Sequence, residues 1–98
     1  MNNQNKLEGV DATLAERGNR YGEFRDHARL CQLIKNIVSA TIGWEAMTCV
    51  ERQALEVIID KIARMCNGDP HYVDNWHDIQ GYAKLVEVHL QDFPNIKS

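Results

Sequence analysis

Only two prolines interrupt this chain of 98 residues, at positions 70 and 94. Proline removes a backbone donor and breaks helices, so its scarcity leaves long segments free to stay helical. Apolar residues recur every three or four positions along those segments, which is the helical period. The one alternating stretch, KLVEVHL, is short and falls in step with that period. The expectation is an all-α fold: a helical bundle of three long helices, about 23–40, 49–67 and 75–91, plus a short N-terminal helix, about 12–19. Residues 1–10 are expected as a disordered N-terminal tail, 11–93 as a single helical domain and 94–98 as a C-terminal tail.

Local signals place the ends. Asp11 is the expected cap of the first helix, which stops before Gly22. Thr48 followed three residues later by Glu51 is a capping box, in which each residue satisfies the other's free backbone donor. Gly68 is expected in a left-handed conformation at the end of that helix, before Asp69-Pro70. Residues 41–47 read as a connection, and Asp74 as the cap or a first-turn residue of the last helix.

Composition narrows the class. Charged residues make up 26% and hydrophobic ones 44%, the balance of an ordinary globule rather than a disordered chain. A net charge of −3 supplies no broad field for gripping nucleic acid. Cys31, Cys49 and Cys66 stand in no zinc or redox spacing, and read as thiols kept in a reducing cytoplasm. No apolar run approaches a membrane span of ~20 residues, so a cytoplasmic location without membrane contact is expected. A chain this short buries a small core, and a homo-oligomer is expected to complete it.

Some polar residues sit where apolar ones belong. At ~100° per residue, helix three carries an apolar arc of Val50, Ala54, Val57, Ile58, Ile62 and Met65, with Lys61 inside it and Arg64 at its edge. Glu23 and His27 share the face of Leu30 and Ile34 on helix two. Asp74 and Asp78 flank the arc of Trp76, Ile79, Tyr82, Ala83, Val86 and Leu90 on helix four. An up-down-up arrangement gathers these polar residues at one end, with Tyr21, His27 and Tyr82 supporting the cluster. Two outcomes satisfy such charges: a structural plug pairing Lys61 and Arg64 with Glu23, Asp74 and Asp78, or a site in which carboxylates hold Mg²⁺ and the cations grip phosphate. Arg52, Glu56, Asp60 and Arg64 form an i,i+4 ladder read as a solvated face. Gly81 is expected to let a neighbouring helix approach beside Asp78.

The stretches AERGNRYGEFRDHARL, KIARMCNGDP and DNWHDIQGYAKLVE resemble a family of small proteins encoded in tailed phages and prophages, over about residues 12–90. More remotely, the Tyr-Gly-x-Phe start, the Lys-x-x-Arg pair and the Asp-rich D-I-x-G-Y-A helix look like phage members of the all-alpha nucleoside-triphosphate pyrophosphohydrolase (MazG-like) group. That resemblance implies Glu23, Asp74 and Asp78 as Mg²⁺ ligands, with Lys61 and Arg64 on phosphate. The group's EExxE run is absent, and its ExxD appears only as Glu23-Phe24-Arg25-Asp26. Two functions follow as expectations. One is a phage accessory protein that binds a host or phage protein through helical surfaces, its polar cluster structural. The other is a Mg²⁺-dependent pyrophosphohydrolase of nucleoside triphosphates, or a nucleotide-binding relative of one.

Overall fold

A computed structural model describes the backbone of residues 2–93 and the side chains of 9–18 and 20–93. Among these residues the fold is entirely helical: α1 (Asn2–Tyr21), α2 (Phe24–Ser39), α3 (Ile42–Ala46), α4 (Cys49–Asn67) and α5 (Val73–Asp92). Three helices match the expected long ones to within two residues at each end. The first helix does not: it starts at Asn2 rather than near 12, so residues 2–10 are helical, and Asp11 lies inside α1 instead of capping it. Nothing in NNQNKLEG forbids a helix, and Gly9 costs only ~1 kcal/mol relative to Ala. The expected C-terminal tail lies outside the described residues.

The expected connection at 41–47 folds into α3, started by Thr41, whose Oγ1 accepts from the Trp44 backbone N–H at 3.3 Å. The capping box forms as the sequence predicts. Thr48 Oγ1 accepts from the Glu51 N–H at 3.3 Å, and Glu51 Oε1 accepts from the Thr48 N–H at 2.9 Å.

The glycines work differently from expectation. Gly68 has φ −136°, not a left-handed value; it is required for space, because a Cβ there would strike Arg20 O and the Tyr21 Cα. Gly22 is the left-handed residue, with φ 79°, and a Cβ on it would strike Asn67 O. Asn67 seals this junction by donating from Nδ2 to Tyr21 O at 2.9 Å and to Glu23 O at 3.0 Å. Gly81 fails its expected role, since no atom lies within 4 Å of a Cβ placed on it.

The helices form a layer rather than a closed bundle. α2 and α5 pack on opposite sides of α4, with no extensive contact between them, while the C-terminal end of α1 rests on α4 and α2. Cys31, Ile59 and Ala63 form the buried seam between α2 and α4, with Leu30, Ile34, Val38 and Leu55 against them. Ala54, Met65 and Asn75 are the other buried residues, and Ala54 and Met65 lie on the opposite side of α4 from Ile59. This overturns the single arc read from the sequence: a central helix buries two stripes, one toward each neighbour.

Between those two stripes, helical geometry places Ile58 and Ile62 on one open face of the layer and Val57 and Arg64 on the other. Ile34 and Ile37 of α2 and Trp76 and Leu90 of α5 turn to the same side as Ile62. Ile37 is 71% exposed and Trp76 54%, although Trp76 belonged to an expected core arc. The molecule is long, 61 × 27 × 26 Å, with a radius of gyration of 17.2 Å against about 13 Å for a compact chain of this length.

Candidate functional site

Because α4 runs between α2 and α5, its polar residues are divided. Asp60 and Arg64, one turn apart, turn toward α2 and the end of α1, whereas Lys61 turns toward α5. The cluster expected at one end is therefore two groups on two sides of one helix.

Asp60 is the hub of the first group. His27 Nε2 donates to Asp60 Oδ1 at 3.0 Å, and the Cys31 thiol approaches the same oxygen at 3.7 Å. Arg64 Nε faces Asp60 Oδ2 at 3.4 Å, and the Arg64 guanidinium lies over the Tyr21 ring, 4.7 Å from its centroid. His27 Nδ1 is buried and has no partner among the described residues. Burial pushes the Cys31 thiol above its ordinary range, and Asp60 adds to that shift.

Aromatic contacts extend the group. Tyr21 meets Tyr72 edge to face at 6.3 Å, and Arg20 stacks over Tyr72 at 4.6 Å. The Tyr72 hydroxyl accepts from Arg20 Nη1 at 2.9 Å and donates to Asp74 Oδ2 at 2.8 Å. That donation to Asp74 raises the Tyr72 phenol above its usual value. Arg20 also pairs with Glu16 at 2.7 Å.

The second group is a single pair. Lys61 Nζ meets Asp78 Oδ2 at 2.8 Å, with the lysine side chain 13% exposed and the aspartate 42%. The hydrogen bond from Lys61 holds the Asp78 carboxyl below the usual carboxylate range.

Of the expected metal ligands, Asp74 is engaged by Tyr72 and Asp78 by Lys61, while Glu23 precedes α2 without capping it through its side chain. Among the described residues no three His, Cys, Asp or Glu side chains gather as a metal would require. This donor set does not fit Mg²⁺. Arg64 meets Asp60 rather than Asp74 or Glu23. Tyr82 is half-buried on the inner side of α5 and joins neither group.

Four of the expected residues do converge. Tyr21, Glu23, His27 and Arg64, with Arg17 and Phe24, line a cleft of about 650 Å³ between the end of α1, the start of α2 and α4. Its polar wall carries two guanidinium groups against one carboxylate.

Sequence reasoning missed Asp60 and Asn75. Asp60 was visible only as a rung of the i,i+4 ladder, which gives no sign that one edge of the ladder faces α2. Asn75 is 1% exposed against α4, and its Nδ2 has no partner among the described residues. A scan against protein-family models, a search of curated proteins and a search of solved structures each return no match to this chain.

Proposed function

We propose that this chain is a small accessory protein, of the kind carried by phages and prophages, that works by binding another protein through its helical surface. The observation that carries the reading is the open face of the helix layer. Trp76, Ile37 and Leu90 stay 54%, 71% and 41% exposed there, on the two flanking helices α5 and α2, whose sides toward α4 are already packed. Exposed apolar patches of this extent characterise interaction surfaces. Pairing of Lys61 with Asp78, and of Asp60 with His27 and Arg64, supports a structural part for the polar residues. The resemblance to phage proteins supports the setting.

The test is a fluorescent probe of apolar surface, such as anilinonaphthalene sulfonate, added to the native chain and to an Ile62→Glu variant. A monomeric native chain should bind the probe through this face and the variant should bind far less. If the native chain is self-associated, the probe should bind only after dissociation by dilution.

A second reading, binding of a nucleotide and cleavage of its phosphate chain, draws support from the cleft. Arg17 and Arg64 line it, and the first-turn N–H groups of α2 are left uncapped by the Glu23 side chain, which together suits an anion. Incubation with a nucleotide panel and Mg²⁺, followed by a pyrophosphate assay, separates the readings. Release from any nucleotide would replace the first with the second.

A further inference from the structure

We infer that the partner on the open face is a second copy of this chain, the two helix layers stacking face to face about a two-fold axis. The inference rests on reading that face as an interface. Its first support is area. The chain exposes 7429 Å², whereas a folded monomer of 11.2 kDa exposes about 5,700 Å². The excess of about 1,700 Å² is roughly twice the ~800 Å² that each partner contributes to a stable interface. Part of it belongs to α1, whose residues 9–18 are all exposed.

The second support is charge. A two-fold interface sets one patch against itself, so any charge near the axis meets its own kind. From Ile34 and Ile37 across Ile58 and Ile62 to Ile79 and Leu90, the face presents aliphatic side chains. Its acids are Glu51, held in the capping box by Thr48, and Asp26, exposed close to Ile37's phase on the flanking helix α2. An apolar patch whose acids are capped or stand on a flank, away from the axis, is self-complementary. The opposite face carries Arg64, Asp60 and Asp78, and lacks that property.

Sedimentation equilibrium of the full chain, over a wide concentration range, tests the inference with three variants. The native chain should sediment as a dimer. Ile62→Glu should weaken association at least about 100-fold, because each dimer would bury two unpaired carboxylates. Ile37→Glu, at a site too exposed to disturb the monomer's own packing, should act the same way and covers the case in which Ile62→Glu fails to fold. Leu85→Glu, 63% exposed and turned toward the opposite face, should leave the dimer intact. A native monomer at every concentration would overturn the inference. If that monomer still binds the apolar probe through Ile62, the face remains an interface for a different protein; if it does not, both readings fall. A dimer broken by Leu85→Glu but not by Ile37→Glu would also overturn it.

Discussion

Asp60 carries more of the polar architecture than any other side chain, accepting from His27 and facing both Arg64 and the Cys31 thiol. Replacing it with alanine strands the His27 N–H against the α2–α4 seam, so Asp60→Ala should lower unfolding free energy by about 1–3 kcal/mol in urea titrations. Asp74, exposed and holding only the Tyr72 hydroxyl, should cost less than about 1 kcal/mol when replaced by alanine. Asp78 makes a pH-dependent prediction. Its carboxyl is depressed in the folded state by Lys61, so the pair's contribution is present above the unfolded value of about 3.9 and is lost as pH falls through the lower folded value. Asp78→Asn should therefore be less stable than the native chain at neutral pH, with the gap closing in strongly acidic solution. Asp60 and Lys61, adjacent in sequence but paired on opposite sides of α4, illustrate what one chain of letters conceals. A residue's phase on its helix is legible, but which neighbour occupies that phase is a tertiary fact, and here one step of 100° separated two groups expected to be one.

At the scale of elements, the long helices and the Thr48 capping box were readable because each rests on contacts within a few residues. The start of α1 was not, since Asn2, Asn3 and Asn5 are all residues that favour caps and no proline among them fixes where the helix begins. Glycine needs were misread for the reason that spoiled the polar cluster: close approach is set by a partner distant in sequence. Gly81 sits in the interior of α5 with open space where a Cβ would go, so Gly81→Ala should stabilise the fold by about 1 kcal/mol in denaturant. Gly22→Ala should do the opposite, losing at least about 1–2 kcal/mol through its left-handed torsion alone, with the collision against Asn67 added.

The molecule as a whole has a central helix and two flanks but covers only one side of each flank. Its buried hydrophobic residues are five among those described: Cys31, Ala54, Ile59, Ala63 and Met65. Two of these are alanines, which contribute little area, so a lone copy has limited hydrophobic stabilisation. If the second layer supplies the rest, melting temperature must depend on protein concentration, rising about 3 °C for each tenfold increase. Calorimetry on a dilution series checks this, and Ile37→Glu should abolish the dependence. The all-helical class was legible from period and proline content; the open layer was not, because a bundle and a layer share the same three helices and differ only in whether the outer two touch.

The joint of Gly22 with Asn67-Gly68 places backbone against backbone, with an amide side chain reaching two carbonyls across 44 to 46 positions of sequence. Surface residues around it are free to drift, since only the glycine backbone and the Asn67 amide set the approach. The joint itself has almost no alternative spelling. Divergent relatives of this chain should be recognisable less by overall identity than by a Tyr-Gly and an Asn-Gly held at this separation. In them, an insertion between the two should appear only where it leaves α2 and α4 able to return to the same clasp.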